Sequence, residues 1–230
     1  MNMKNLTLAA FAAAALAACG SGGDGEIAPA ATPVTPAAPT LTLTGTAATG
    51  AAIVGGQVAA KCAAGSGSAT TSATGAYTMA ITNGALPCAL RVTTSDGTVL
   101  HSVQPGAGAT TASFNVNVTP LTEMVLAAAT GQSPASFFDA MGSTTAMSDS
   151  AVNDALATVK AALSAVADLG STNPLSDELV AATSSSAGNP HDQKIDAVMA
   201  AVLAYDAVGQ AIAKGIKPRS ALVYAARRIR

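Results

Sequence analysis

Hydrophobic and polar residues alternate with a period of two through much of the chain between residues 41 and 118. The alternation is cleanest over Tyr77–Ile81 and Phe114–Val118, and this pattern is typical of strands with one buried face. Asp96-Gly97 lies between two β-prone runs and predicts a hairpin closed by a type I′ turn. Six or seven strands at this spacing predict an antiparallel β-sandwich over residues 41–118.

The period becomes helical from Thr119-Pro120 onward. Thr119 as N-cap, Pro120 as first helical residue and Gly131 as stop signal predict the first helix. Three more helices are predicted over "PASFFDAM", from Ser148 or Ser150 to Gly170, and after Pro190, with a further short one at "SDELVAA". The chain is therefore predicted to be α+β, an N-terminal antiparallel β-sandwich followed by a C-terminal helical bundle over residues 119–230.

Two of the predicted helices carry an apolar stripe, which indicates the face that each one buries. The stripe of the third helix consists of Val152, Leu156, Val159, Leu163 and Val166. The stripe of the last helix consists of Ile195, Val198, Met199, Val202, Tyr205 and Ile212. We expect both stripes to be buried.

The first residues of the chain have the pattern of an export signal. Lys4 precedes an apolar run that ends at Ala18, and the run is shorter than the roughly 20 residues that a spanning helix needs. Leu16-Ala17-Ala18-Cys19-Gly20 resembles the lipobox of bacterial lipoproteins, in which the cysteine is lipidated and becomes the mature N-terminus. An ordinary secretory signal with an incidental cysteine is the alternative.

The lipobox resemblance implies a signal peptide over residues 1–18 and a membrane anchor made by acyl chains, palmitate among them, on Cys19. Gly20 follows the cysteine where an Asp would favour retention in the inner membrane, so the resemblance implies the outer membrane, with the face left open. Residues 19–40 would then combine the anchor with a Gly/Ser/Pro-rich linker. Such a linker buries no core and extends by about 3 Å per residue.

The chain has three cysteines, and their use depends on the export signal. With Cys19 taken by lipid, Cys62 and Cys88 remain as an even pair in an oxidising compartment, which predicts a disulfide. A metal or redox pair is the alternative, but the two cysteines are not closely spaced and have no neighbouring histidine.

Three segments of the strand region, "GAAIVGGQVAAKC", "ATTSATGAYTMAI" and "ALRVTTSDGTVLHS", resemble a known domain family. With Thr71, Gly75 and Tyr77 in a Thr-x-x-x-Gly-x-Tyr pattern, they are similar to the carboxypeptidase-regulatory-like, or transthyretin-like, sandwich. The resemblance implies a folding, spacing or interaction module with no catalytic residues to carry over. The Cys62 and Cys88 pair departs from the generic pattern of that family.

Charge is sparse and unevenly distributed. Only 10% of residues are charged, and without the signal peptide ten Lys/Arg stand against thirteen Asp/Glu, which argues against nucleic-acid binding. Six of those ten cations fall in the last seventeen residues: Lys214, Lys217, Arg219, Arg227, Arg228 and Arg230. They are candidate contacts for an anionic lipid, a glycan or an envelope protein, and a solvated helix end is the alternative.

Candidate chemistry is scarce. The two histidines are His101 and His191, and the acidic residues that follow His191, Asp192 and Asp196, suit a helix N-terminus better than a metal site. No Gly-x-Ser-x-Gly elbow occurs, and the glycines of "GAGA" lack the third glycine of a dinucleotide loop. A glycosidase needs a pair of carboxylates, and the only glutamates in the sequence are Glu26, Glu123 and Glu178. We therefore assign no catalytic, cofactor-binding or metal-ligating residue.

These observations favour a non-enzymatic cell-envelope lipoprotein that serves as a surface or periplasmic binding or scaffold module. The alternative is a hydrolase, or a hydrolase accessory, acting on peptidoglycan or carbohydrate. An enzyme would bring histidine or carboxylate side chains together in one deep pocket, whereas a binding module would expose an apolar or basic patch.

Overall fold

The computed structural model describes the backbone of residues 38–213 and the side chains of residues 38–203. These residues belong to one compact unit that begins at Ala37. The signal peptide, Cys19, most of the linker and the basic residues from Lys214 onward lie outside the described residues, so those interpretations stay predictions.

Within residues 38–213, seven strands form two sheets, and together with the helices they confirm the mixed α+β class. The strands are β1 Thr40–Thr46, β2 Gln57–Ala64, β3 Ser66–Thr70, β4 Ala76–Thr82, β5 Ala85–Thr93, β6 Val99–Ala109 and β7 Ser113–Asn115. The first sheet has the order β4-β1-β7, with β1 antiparallel to β4 and parallel to β7. The second has the order β3-β2-β5-β6, and all its neighbours are antiparallel.

The period-two pattern of the strands places one face of each sheet in a common buried cluster. Leu41 and Leu43 of β1 and Met79 of β4 contribute from the first sheet, and Val58 of β2 and Leu90 of β5 contribute from the second. Burial of apolar surface of this kind is the dominant favourable contribution to folding. The alternation seen in the sequence is therefore the pattern that joins the two sheets.

In the described part of the chain, four helices follow the strands at the position that the sequence predicts. They are α1 Pro120–Thr130, α2 Pro134–Ala140, α3 Asp149–Leu163 and α4 Pro190–Ala213. The hydroxyls of Thr119, Ser133 and Ser148 cap α1, α2 and α3 by accepting a backbone N–H from the first turn. Gly131 ends α1 in the left-handed conformation, with φ of 64°.

Helices α1, α2 and α3 lie against the outer face of the four-stranded sheet. Ala89 of β5 and Val103 of β6 belong to the same buried cluster as Leu126 of α1, Phe138 of α2 and Leu156 of α3. Strand β5 is consequently covered on both faces, by the first sheet on one side and by the helices on the other. The strand region and the helical region share this second cluster.

Two helical predictions are wrong in detail. Helix α3 ends at Leu163, and the chain turns back at Gly170, whose carbonyl accepts a hydrogen bond from Lys160 Nζ at 3.0 Å. Val166, which the periodicity placed on the buried stripe, is therefore 47% exposed. Residues 173–187 form turns instead of a short helix at "SDELVAA".

The turn-rich segment forms no helix because its carbonyl groups accept hydrogen bonds from side chains of the strand region. Asn115 Nδ2 donates to the Ser176 carbonyl at 2.8 Å, and Asn117 Nδ2 donates to the Asp177 carbonyl at 2.7 Å. The hydroxyl of Thr46 donates to the Leu179 carbonyl at 2.9 Å. Carbonyls that bond to the strand region in this way fix the segment against it in an extended, turning path.

The hairpin between β5 and β6 is present, but its turn differs from the prediction. Residues 94–98 form a longer loop, and within it only Gly97, with φ of 85°, adopts a positive φ. The Asp96 carboxylate accepts hydrogen bonds from the Thr94 hydroxyl and from the Thr98 N–H, which holds this side-chain-centred loop. A type I′ turn would need a positive φ at Asp96 as well.

Candidate functional site

His101 is buried on β6 and bonds to a carboxylate of the helix above it. Its Nδ1 lies 3.1 Å from Glu123 Oε2, and its backbone N–H donates to the same oxygen. The hydroxyl of Thr122, the neighbour of Glu123 on α1, donates to the His101 carbonyl at 2.8 Å. Because β6 is the last strand of its sheet, α1 thus supplies the partners that a further strand would have supplied.

Phe138 of α2 packs beneath two cations of the four-stranded sheet. Lys61 Nζ lies 4.8 Å from the centre of the Phe138 ring, and Arg91 Cζ lies 4.5 Å from it, which is within the range of cation–π attraction. Arg91 also lies 3.9 Å from the Asp139 carboxylate, and the His101 ring is 6.0 Å from Phe138. The sequence pattern did not predict this group, although the charged residues Lys61 and Arg91 within strands were a signal of it.

The start of α4 is built from buried polar residues. Asn189 Oδ1 accepts the Asp192 N–H at 3.1 Å and caps the helix. The buried Asp192 carboxylate accepts the Ala182 N–H at 2.9 Å, so it ties the preceding loop to the helix. Gly188 lies so close to Asp192 that a Cβ there would overlap the carboxylate. Asp192, which the sequence also allowed as part of a metal site, therefore holds a loop against a helix.

His191 is also buried, and its environment favours the neutral imidazole. Its Nδ1 lies 3.4 Å from the Glu178 carbonyl, and its Nε2 has no hydrogen-bond partner within the described residues. Burial lowers the pKa of His191, an effect that Lys194 reinforces. The Glu178 carbonyl, Asp177 and Asp192 oppose the shift without cancelling it.

We expect stability to fall as the pH is lowered through the titration of His191. The unfolded chain takes up a proton near pH 6.5, whereas the folded chain does so only at a lower pH because its pKa is depressed. Between these two values the unfolded state binds more protons, so acidification favours unfolding. Urea midpoints of the wild-type chain should therefore decline as the pH is lowered from 7.5. The part of this decline that is caused by protonation of His191 should be absent in His191→Gln.

Comparing the wild-type chain with His191→Gln distinguishes the effect of His191 on the pH dependence of stability from that of Asp192. Burial raises the pKa of Asp192, and this carboxyl is present in both proteins. Equal slopes of stability against pH in the wild-type chain and in His191→Gln would show that His191 contributes nothing to the acid sensitivity.

Cys62 and Cys88 stand opposite each other in the antiparallel pair of β2 and β5, and a disulfide joins them. Both side chains are buried in the cluster between the two sheets. The two cysteines therefore link neighbouring strands of one sheet and are not arranged around a metal.

The residues of the Thr-x-x-x-Gly-x-Tyr pattern all serve the architecture. The buried Thr71 hydroxyl donates to the Ile53 carbonyl at 2.5 Å and accepts the Gly56 N–H at 2.8 Å. Gly75 has φ of 76°, and a Cβ on it would press on the Ala47 carbonyl. The Tyr77 hydroxyl donates to the Val116 carbonyl across the first sheet, and burial raises the pKa of Tyr77.

An open groove of about 590 Å³ lies where the ends of β5 and β6 meet the segment between α2 and α3. Its lining is dominated by small or apolar residues, Leu86, Pro87 and Met147 among them, with Asp149 as its one carboxylate. Gly106 and Gly108 of the "GAGA" segment lie in this lining on β6, both with positive φ, and not in a loop before a helix.

The described groups that could perform chemistry do not converge. His101 bonds to Glu123 on α1, whereas His191 bonds to the backbone at Glu178, and Glu178 lines a second groove of about 510 Å³ beside β1 and β4. Among the described side chains, those of residues 38–203, no three His, Cys, Asp or Glu are grouped so that they could hold a metal ion. Glu26 lies outside the described residues.

Helix α4 leaves the core partway along its length. Ile195 and Val198 are buried and Met199 is partly buried, as the predicted stripe requires. Val202, the next member of that stripe, is 48% exposed, and the adjacent Leu203 is 58% exposed. The prediction that Val202 is buried is therefore wrong, because the described core ends one turn earlier. The side chains of Tyr205 and Ile212 are outside the described residues.

A bilayer-spanning helix, judged by length and apolar character, is not found in the part of the chain that the structure describes. No known family model, curated protein or solved structure matches this chain.

Proposed function

We propose that the protein is a non-enzymatic cell-envelope lipoprotein that acts as a binding or scaffold module. Acyl chains on Cys19 hold it at the outer membrane, and the Gly/Ser/Pro-rich linker spaces the folded part from the lipid. The folded part is a β-sandwich over residues 41–118 that carries a helical region over residues 119–230.

The observation that carries this proposal is that both histidines and their acidic neighbours form hydrogen bonds within the fold. The Glu123 carboxylate is committed to both the backbone and the ring of His101. The Asp192 carboxylate is committed to the Ala182 N–H, beside a histidine that bonds to a carbonyl. Side chains that hold the architecture together in this way are poorly suited to serve as general acid and base.

The sandwich assignment is supported by the cluster between the two sheets and by the resemblance to the transthyretin-like family. Each residue of the pattern that carries the resemblance has a structural task that fits such a module, since Thr71, Gly75 and Tyr77 join neighbouring segments. The groove at the ends of β5 and β6 is open and mostly apolar, which favours contact with another molecule over hydrolysis.

Replacing Cys19 by Ser is expected to abolish acylation of the chain. In bacteria fed with labelled palmitate, the wild-type chain should carry the label and sediment with the outer membrane. The Cys19→Ser chain should carry no label, because the acyl chains have no thiol to attach to.

Cys62→Ser is the matched control, because Cys62 is bonded to Cys88 in the disulfide and not to lipid. This variant should retain the palmitate label. Equal labelling of the wild-type and Cys19→Ser chains, or none in either, would contradict the anchor.

The same preparation distinguishes a binding module from a hydrolase. The purified chain is incubated with cell-wall sacculi, and both retained protein and released wall fragments are measured. Retention without release, or neither, is compatible with the proposed module, whereas release of fragments that depends on the chain would replace the proposal by the hydrolase alternative.

A further inference from the structure

Helices α1, α2 and α3 cover only part of the outer face of the four-stranded sheet. They pack on Ala89 of β5, whereas Ser66 and Ser68 of β3, on the same face of the sheet, are exposed. Lys61 of β2 and Arg91 of β5 stand at the boundary between the covered and the open part, and both are partly exposed. Two cations therefore border an open area of the sheet.

The strand register places these cations around a small residue. Ala59 of β2 stands directly opposite Ser68 of β3 on one side and opposite Arg91 of β5 on the other. Lys61 is the next residue of β2 on the same face, because side chains alternate along a strand. Neighbouring strands lie about 4.8 Å apart, so one hydroxyl and two cations stand around a floor formed by a single methyl group. We call Ala59, Lys61, Ser68 and Arg91 the Ala59 cup.

The two cations of the Ala59 cup are held close together and have little anionic compensation. Lys61 Nζ and Arg91 Cζ lie 4.8 and 4.5 Å from the centre of the same Phe138 ring, whose face attracts both. Among the described side chains, Asp139 is the one carboxylate within ion-pair distance of either cation, and at 3.9 Å from Arg91 it is beyond hydrogen-bond distance. The other two described cations instead donate hydrogen bonds to backbone carbonyls.

We propose that the Ala59 cup binds a phosphate group carried by a sugar of a cell-envelope glycan. Two cations match the charge of a phosphate monoester, and the guanidinium fork of Arg91 together with the Lys61 ammonium can donate to three of its oxygens at once. A carboxylate has only two oxygens, which Arg91 alone would satisfy. This inference deepens the proposed function, on which it rests for the place where the ligand is met.

The sugar part of the ligand is inferred from strand β3. Its outward side chains, Ser66, Ser68 and Thr70, are all exposed and carry hydroxyls, so they extend the cup sideways as a row of groups that both donate and accept. Sugar hydroxyls next to a bound phosphate would meet this row, whereas the acyl chain of a lipid phosphate would find no apolar side chain along it.

The test uses the chain carrying Cys19→Ser, so that no acyl chain contributes to binding. Isothermal titration calorimetry at low salt measures the Kd of glucose 6-phosphate, of inorganic phosphate and of glucose. We expect glucose 6-phosphate to bind most tightly, inorganic phosphate to bind more weakly and glucose not to bind. Added salt should weaken the binding of both phosphates.

Removal of the two cations tests the phosphate contact. Lys61→Gln with Arg91→Gln should weaken the binding of glucose 6-phosphate by roughly tenfold or more, because each cation supplies a charge-assisted hydrogen bond. The matched control is Lys214→Gln with Lys217→Gln, which removes the same charge outside the described residues. The control should change Kd by less than about twofold, since net charge alone does not form the site.

Two further variants keep both cations. Ala59→Ile fills the floor of the cup and should weaken binding by roughly tenfold, because the phosphate is displaced from its donors. Asp139→Asn removes the carboxylate near Arg91, whose side chain is 70% exposed, and should tighten binding by about twofold or more. A gain of affinity cannot arise from misfolding, and urea unfolding establishes that the other variants are folded.

Four results would overturn the inference. Absence of binding by either phosphate would remove the site, and glucose binding as tightly as glucose 6-phosphate would remove the phosphate as the recognised group. Inorganic phosphate binding as tightly as glucose 6-phosphate would remove the sugar. An unchanged Kd in Lys61→Gln with Arg91→Gln would place the ligand elsewhere. Because the tested chain has no Cys19, none of these results bears on acylation, which the palmitate label tests separately.

Discussion

Phe138→Ala is expected to destabilise the folded chain by about 3–5 kcal/mol, the range for removal of a buried phenylalanine ring. Phe138 is among the largest fully buried side chains and lies at the junction of α2 with β5 and β6. The loss includes the transfer free energy of the ring and the cavity that incomplete collapse leaves behind. Urea unfolding followed by circular dichroism would measure it.

Phe138→Leu distinguishes the contribution of apolar burial to stability from the contribution of the cation–π contacts. Leucine keeps most of the apolar burial but offers no ring to Lys61 and Arg91, which lie 4.8 and 4.5 Å from the ring centre. Each such contact contributes about 0.5–1 kcal/mol at partly exposed positions. We therefore expect Phe138→Leu to cost less than Phe138→Ala.

Phe114→Ala is the matched control, because Phe114 on β7 is only partly buried against the other cluster. It should cost clearly less than Phe138→Ala. A loss below about 1 kcal/mol for Phe138→Ala would mean that α2 is not fixed to the sheet by this ring.

Removal of the disulfide by Cys62→Ala with Cys88→Ala is expected to destabilise the chain by about 3–4 kcal/mol. The bridge spans 26 residues of sequence, and opening it returns conformational freedom mainly to the unfolded chain. Part of the cost also arises in the folded state, because both cysteines lie in the cluster between the sheets. Urea midpoints of the oxidised wild-type chain and of the double variant would give the difference.

The wild-type chain unfolded with a thiol reductant present provides the control. The urea midpoint of the reduced wild-type chain should equal that of the double variant, apart from a small difference caused by replacing cysteine by alanine. A double variant as stable as the oxidised wild-type chain would show that pairing of β2 with β5 does not depend on the bridge.

The sequence predicted the elements whose signals are local. Alternation over Tyr77–Ile81 predicted β4, and the Thr119 cap with Pro120 and Gly131 predicted α1 almost to the residue. These features depend on a few neighbouring residues, so one sequence is enough to find them. The hairpin before β6 was found for the same reason, although its turn type depended on the Asp96 side chain.

Features that depend on distant residues could not be predicted in this way. The carbonyls near Asp177 bond to Asn115 and Asn117, about sixty residues earlier, so the local helix propensity of that segment did not decide its structure. The pairing of His101 with Glu123 likewise required knowing that α1 folds over the edge of β6. Periodicity along α4 also continued past Val198, but it carries no information about where the surrounding core ends.

The way that α1 covers the edge of β6 has a consequence for the protein at high concentration. An uncovered edge strand is a template on which another chain can add, and repeated addition leads to fibrils. Here the N–H and carbonyl of His101 are occupied by Glu123 and Thr122, and the Gly106 N–H donates to the Met147 carbonyl at 3.0 Å. Strand β6, the longest strand within residues 38–213, is thus blocked at these two places, which disfavours templated growth along it.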